Sequence, residues 1–193
     1  MKLKSRLPVA KGLSPIHVDW EDGPFKGTRA PSAVMVLLVE YDHLREAEVV
    51  LIRRATNLSS HRGQIGFPGG RREIQDPSPV ATALREAQEE IGLNPRKVEI
   101  LGQIQNVASI DGSFVKPILG RINADDLVLK ANPDEVQSIH LIPWTQLSSQ
   151  NCRQFQFNMF GCWRNSFQYD CGSIMVWGLS AQMLHLFDFG DLA

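Results

Sequence analysis

The sequence predicts an α/β fold built on a mixed sheet, and three observations carry that expectation. Short apolar and β-branched runs recur between residues 33 and 160, a strongly helix-periodic segment interrupts them at residues 79–91, and a Met- and Leu-rich segment at 173–187 reads as a closing helix. Residues 1–30 carry Pro8, Pro15 and Pro24 with little periodicity. They are expected to form an irregular arm crossing the domain's own surface or that of a second subunit, which makes a homodimer one expected assembly. Ala33–Glu40 is the first strand, and Val49–Arg54 its neighbour through the charged turn at Asp42–Glu48. Ile65–Phe67 is a short strand running into the glycine-rich turn Pro68-Gly69-Gly70, with Phe67 expected in the core. Val98–Gln105, Phe114–Arg121 and Gln137–Ile142 follow as strands, and Trp144–Leu147 as a short helix. Gln154–Phe160 alternates Phe155, Phe157 and Met159 as a strand does, and Trp177 is expected in the core of the last helix.

The helix at 79–91 carries the most information. Val80, Leu84, Ala87 and Ile91 make an apolar stripe; Ser78 suits the N-cap, Pro79 the first turn, and Gly92 the left-handed residue that follows. On the remaining face Glu86, Glu89 and Glu90 place three carboxylates within five residues. At about 3.6 residues per turn they project together, roughly 5–6 Å apart, which is unfavourable unless cations sit among them. An all-oxygen cluster suits Mg²⁺ or Mn²⁺, hard cations that work on phosphates. The plain alternative is a solvated acidic face on which Arg85 pairs with Glu89 at i+4.

Composition sets bounds on function. The chain's 193 residues, 43% hydrophobic and 21% charged, can bury one sizeable core, so a single domain over residues 1–193 is expected. Twenty basic against twenty-one acidic residues leave a net charge of −1, which gives no general attraction to nucleic acid or anionic membrane. Cys152, Cys162 and Cys171 lack paired Cys-x-x-Cys spacing and read as reduced thiols, not as a disulfide framework or a zinc site. No apolar run approaches the ~20 residues of a membrane span, and a cytoplasmic location is expected.

Gly70-x5-Asp76, followed after eight residues by Arg85-Glu86-Ala87-x-Glu89-Glu90-x-Gly92-Leu93, resembles the signature box of the Nudix hydrolases. The family pattern has Glu at Asp76 and seven residues, not eight, before the arginine. Upstream, Val50-Leu51-Ile52-Arg53-Arg54-Ala55 through His61-Arg62-Gly63-Gln64-Ile65-Gly66-Phe67-Pro68-Gly69-Gly70 is similar to the segment that marks coenzyme A diphosphatases within that superfamily. Val115-Lys116-Pro117-Ile118-Leu119-Gly120, Asp134-Glu135-Val136 and Val176-Trp177-Gly178-Leu179-Ser180-Ala181 echo the same subfamily. That pattern has Thr, Ser and Arg where this chain has Ile52, Ala55 and Ser59.

The resemblance implies an α/β/α sandwich, and Mg²⁺ or Mn²⁺ held by Glu86, Glu89 and Glu90 with a carbonyl of Gly69 or Gly70. Arg85 is implied to hold Glu89 in one rotamer. Glu89 is one candidate general base and Glu135, in the Asn132-Pro133-Asp134-Glu135 turn, is another, with Asp134 as its rival. Arg54, His61 and Gln64 are candidate contacts for a small-molecule diphosphate or nucleotide phosphate. The implied activity is hydrolysis of coenzyme A to 3′,5′-ADP and 4′-phosphopantetheine. Hydrolysis of another nucleoside diphosphate derivative, such as ADP-ribose, NADH or a dinucleotide, and a non-catalytic nucleotide-binding domain are the alternatives.

Overall fold

Ser32–Glu40 (β1) is apolar along nearly its whole length because both of its faces are covered. The computed structural model, which describes residues 30–42, 47–58, 60–109, 113–159 and 161–187, shows the two covers. Ala33, Met35, Leu37 and Val39 pack with Ala83, Ala87 and Ile91 on one side of the sheet. Val36 and Leu38 pack with Ala181, Met183 and Leu184 on the other. Two layers of helix thus enclose a sheet, as the α/β/α expectation requires.

Along the chain, Glu48–Arg54 (β2) pairs antiparallel with β1. Ile65–Gly66 (β3) pairs with β2, and Gly69–Arg71 (β4) with the start of β1. Pro79–Ile91 (α1) has the expected bounds: Ser78 Oγ accepts the Ala81 N–H at 3.1 Å, and Gly92 (φ 69°) ends the helix. Glu99–Gln103 (β5), Val107–Ala108 (β6) and Phe114–Asn123 (β7) follow. β7 runs parallel to β1 while β5 and β6 pair antiparallel with it, so the sheet is mixed. Val136–Pro143 (β8) pairs with β2, and Trp144–Leu147 is a 3-10 turn. The backbone order is β3-β2-β1-β7-β5.

The C-terminal third differs from expectation. Cys152–Met159 (β9) is the expected strand, but Cys162–Cys171 (β10) and Ile174–Trp177 (β11) join it in a second, three-stranded sheet. The helix expected over 173–187 is therefore corrected to Gly178–Leu186 (α2). Ile174 and Val176 are buried while Met175 and Trp177 are exposed, the period of a strand, and Gly172 (φ 71°) forms the turn that returns the chain onto β10. Trp177 is 48% exposed at the end of β11, so it is not a helix-core residue; Phe67, at 6%, is in the core as expected.

All three cysteines are free thiols, with only Cys171 buried. Among the described residues no helix is long and apolar enough to cross a membrane. The arm expected over residues 1–30 lies outside the described residues apart from Ala30, as do residues 43–46 of the turn after β1, Ser59, and Phe160 at the end of β9's expected span.

Candidate active site

The site forms where β1 and β2 splay apart at one end and β3 and β4 enter the gap. β4 lies against β1 with Gly69 opposite Val34 and Gly70 opposite Ala33. A side chain at Gly69 has no room, and one at Gly70 would displace the Glu86 carboxylate. A Cβ on Gly69 (φ 154°) meets Ala33 O and Val34 Cα at 2.5 Å, and one on Gly70 meets the Glu86 carboxylate at 2.5 Å. The close approach brings the backbone of the turn against the carboxylates of α1.

Glu90 lies deeper than an apolar-stripe reading of α1 places it. Its side chain is 2% exposed; Oε2 accepts the Gly69 N–H at 2.9 Å and Oε1 pairs with Arg54 Nη1 at 3.2 Å. The buried face of the helix is Pro79, Thr82, Ala83, Ala87, Glu90 and Ile91, whereas Val80 and Leu84 are only partly buried. The small Ala83 and Ala87 let α1 settle close to β1, and this rolls Thr82 and Glu90 inward. Burial, helped by the charges of Glu86 and Glu135, pushes the Glu90 carboxyl up to about 7 against the Gly69 hydrogen bond and the Arg54 charge. Burial also raises Glu86, opposed by Arg85 and reinforced by Glu89 and Glu135.

Arg85 organises the outer half of the site. Its Nε donates to Asp76 Oδ1 at 3.1 Å, Nη1 to Glu89 Oε2 at 2.9 Å, and Nη2 to Asp76 Oδ2 at 3.0 Å, Glu86 Oε1 at 3.0 Å and Arg71 O at 2.9 Å. Asp76, buried at 4% exposure, also accepts the Thr82 hydroxyl at 2.8 Å and the Glu73 N–H at 2.9 Å. The shorter carboxylate and the longer loop together deliver Asp76 to the guanidinium. Sequence reasoning missed this hub, because a loop residue nine positions before Arg85 has no periodic relation to it. Burial acts to raise the Asp76 carboxyl, but the Arg85, Glu73 and Thr82 hydrogen bonds outweigh it and hold the group below its ordinary 3.8. The Arg85 guanidinium is raised in turn, chiefly by its hydrogen bond to Asp76.

A stability prediction follows with a definite sign. A carboxyl depressed in the folded state stabilises above its unfolded pKa and loses that contribution as pH falls through its folded value. Asp76→Asn is expected to cost about 1.5–3 kcal/mol at neutral pH, the range for a hydrogen-bonded charge. The variant and the parent should converge in acid below about pH 4. Urea midpoints of both proteins across that range check it; a penalty unchanged in acid contradicts the assignment.

The Asn132–Glu135 turn closes the site from the side. Asn132 N–H donates to Glu90 O at 2.9 Å, and Ala55 N–H to Glu135 O at 2.8 Å, so the turn is tied to both α1 and the end of β2. Glu135 is half-buried and its charge reaches Glu86 and Glu90, while Asp134 is exposed. The register between β2 and β8 slips between Arg53 and Arg54, leaving Arg54 opposite Val136 beside this turn. His61 (φ 55°) and Gln64 are tied to each other, Nδ1 to Oε1 at 2.9 Å, and Gln64 O accepts the Arg54 N–H at 2.9 Å. The structure thus brings Gly69, Gly70, Arg54, Glu86, Glu90 and Glu135 together, with Glu89 on the Arg85 rim. His61 and Gln64 pair side chain to side chain at the approach.

Among the described residues no three His, Cys, Asp or Glu side chains form a ready-made metal cage. Arg85 draws the Glu86 and Glu89 carboxylates towards itself while Glu90 turns to Gly69. The donor chemistry nevertheless fits a hard divalent cation: two carboxyls raised chiefly by burial and further by the charges of their Glu neighbours, beside the glycine backbone of the turn.

Comparison with known proteins gives a consistent result. The family model described as the NUDIX domain matches residues 29–160. The uncharacterized Nudix hydrolase NudL of Photorhabdus laumondii is 37% identical over 71% of this chain and 73% of its own length. Nudix hydrolase 3 of Caenorhabditis elegans is 35% identical over 91% of this chain and 80% of its own. A crystal structure of a Nudix hydrolase from M. smegmatis, RenU, shares the fold with a TM-score of 0.51 at 23% identity, covering 67% of this chain and 80% of that one.

Proposed function

Because the chain belongs to the Nudix hydrolase family, we propose that it hydrolyses the diphosphate linkage of a nucleoside diphosphate derivative, and that the substrate is coenzyme A, cleaved to 3′,5′-ADP and 4′-phosphopantetheine. We read residues 1–193 as a single hydrolase domain. The observation that carries the reading is the convergence of Glu86 and Glu90 on the Gly69-Gly70 turn, with the charge of Glu135 reaching both. Glu86, Glu89 and Glu90, with a carbonyl of Gly69 or Gly70, are the residues that would hold Mg²⁺ or Mn²⁺. Such a cation, when bound, neutralises phosphoryl oxygens and lowers the pKa of water. Glu135 accepts the proton of the attacking water, from a turn whose backbone bonds to α1 and β2 fix its position. Glu89 is the alternative base. Arg85 sets the rotamers of Glu86 and Glu89 and so restrains their mutual repulsion. Arg54, His61 and Gln64 meet the incoming phosphates and nucleotide.

The coenzyme A reading draws support from where the subfamily departures fall. Ile52 is fully buried and Ala55 is 6% exposed, so a hydroxyl at either place would face packed interior and not a ligand. Ser59 lies outside the described residues. The second reading, cleavage of ADP-ribose, NADH or a dinucleotide, rests on the arginine absent at Ser59, since losing a guanidinium removes a phosphate contact. A non-catalytic binding role leaves the carboxylate cluster without a purpose.

The 3′-phosphate of coenzyme A separates the first two readings. A charge-assisted contact to it is worth roughly 1.5–3 kcal/mol. Removing it should lower kcat/KM by about ten- to a hundredfold, at ~1.4 kcal/mol per factor of ten. Steady-state kinetics on coenzyme A and dephospho-coenzyme A test this. Equal values mean that the 3′-phosphate goes unread, and faster turnover of ADP-ribose or NADH than of both favours the second reading.

A further inference from the structure

Both oxygens of Glu90 are engaged inside the protein, but by partners of different permanence. The Gly69 N–H is fixed, because Gly69 is held in β4 with backbone atoms of β1 where a Cβ would stand. The Arg54 bond is not. Arg54 ends β2 just past the register slip, its side chain is 27% exposed, and its pairing with Glu90 is a single contact of 3.2 Å. Charge-assisted pairs usually close to about 2.7–2.9 Å, and guanidinium recognition is commonly bidentate. The Arg54 Nε, moreover, is buried without a hydrogen-bond partner among the described residues. A guanidinium with one long bond and an unused buried donor is poised to make more bonds than it has.

We propose that Arg54 is an exchangeable counter-ion of Glu90: it neutralises the carboxylate when no cation is bound, and is released to the diphosphate when a divalent cation takes its place. This inference rests on the proposed function of the site, but it adds a coupling that the reading alone does not contain. A divalent cation held by Glu90 would repel a guanidinium on the same carboxylate, since one negative charge does not neutralise both and further negative charge is needed to keep them together. A diphosphate supplies that negative charge and gives the free Arg54 donors their acceptors. Arg54 therefore weakens binding of the cation alone and strengthens binding of cation and phosphate together. Linkage makes the second effect reciprocal. Arg54 acts here as a positioning residue for the cation and as a contact for the anion.

The test is Mn²⁺ binding, followed by the paramagnetic resonance of free Mn²⁺ at about pH 8 to limit proton competition for Glu90. It compares the intact chain with Arg54→Met, each with and without α,β-methylene-ADP, a nucleoside diphosphate analogue with no cleavable P–O–P bridge, with free Mn²⁺ corrected for its complex with the nucleotide. Arg54→Met is expected to bind Mn²⁺ alone more tightly, by roughly 5- to 150-fold, and to lose the tightening that α,β-methylene-ADP gives the parent. A merely structural Arg54 predicts the opposite sign, since disrupting the site weakens Mn²⁺. Equal or weaker Mn²⁺ binding by a variant with a native melting profile overturns the proposal. The parent protein supplies a check that needs no variant: α,β-methylene-ADP must tighten Mn²⁺ binding, and the absence of any tightening also overturns it. Coupling as expected in a protein that cleaves no diphosphate would uphold the counter-ion and refute only the substrate reading. Failure of the parent to bind Mn²⁺ would overturn both.

Discussion

Replacing Glu90 by Gln is expected to lower turnover by roughly 10³-fold or more, the equivalent of the several kcal/mol that a bound cation contributes to phosphoryl transfer. The amide keeps the shape of the side chain and an acceptor for the Gly69 N–H, but removes the charge proposed to hold the cation. The fold should survive, for a reason different from the one an exposed helix face would give. Glu90 is buried, and its ionised form is disfavoured by that burial and by Glu86 and Glu135. A neutral isostere relieves the penalty, which offsets loss of the Arg54 pair, itself only partly buried. Steady-state turnover and thermal melting of the same preparation check both halves. A native-like melt with near-parental turnover would remove Glu90 from the proposed metal set.

Glu135→Gln is the second large effect. If Glu135 accepts the proton of the attacking water, the chemical step slows by ~10²–10⁴-fold, while Mg²⁺ affinity is nearly unchanged. The backbone bonds that fix the turn, Asn132 N–H to Glu90 O and Ala55 N–H to Glu135 O, do not involve the substituted carboxylate. A well-folded variant therefore isolates the chemistry. Single-turnover rates at saturating Mg²⁺ measure the step. A loss smaller than a few-fold passes the role to Glu89, and Asp134→Asn serves as the control because Asp134 is exposed within the same turn.

The parts of the fold legible in the sequence are those whose signals are local. Ser78, Pro79 and Gly92 frame α1 at the bounds their chemistry dictates, and the apolar run of β1 announces a strand covered on both faces. What escaped depends on packing partners distant in sequence. β10 carries Trp163, Arg164, Asn165 and Gln168 with little alternation, because its first four residues are exposed and only the half from Ser166 to Cys171 turns side chains inward. The Met- and Leu-rich composition of residues 173–187 reads as one helix, yet the exposure of Met175 and Trp177 follows the strand period. At the site, the carboxylate trio and Arg85 were legible from spacing. The inward roll of Glu90 was not, since it follows from Ala83 and Ala87 admitting α1 close to β1. Nor was the Asp76 hub, which needs the loop closed back on Thr82 and Arg85.

The proposal that this site cleaves a nucleoside diphosphate derivative, and coenzyme A in particular, is tested most directly by product analysis. A panel of coenzyme A, dephospho-coenzyme A, ADP-ribose and NADH would be incubated with the protein and Mg²⁺ or Mn²⁺, and the products resolved by mass. The account predicts 3′,5′-ADP and 4′-phosphopantetheine from coenzyme A, formed faster than any product of the other three and lost when the metal is chelated. Cleavage confined to ADP-ribose or NADH would contradict the coenzyme A assignment, and no cleavage of any of the four by a folded, Mn²⁺-binding protein would contradict the reading of the site as a diphosphohydrolase.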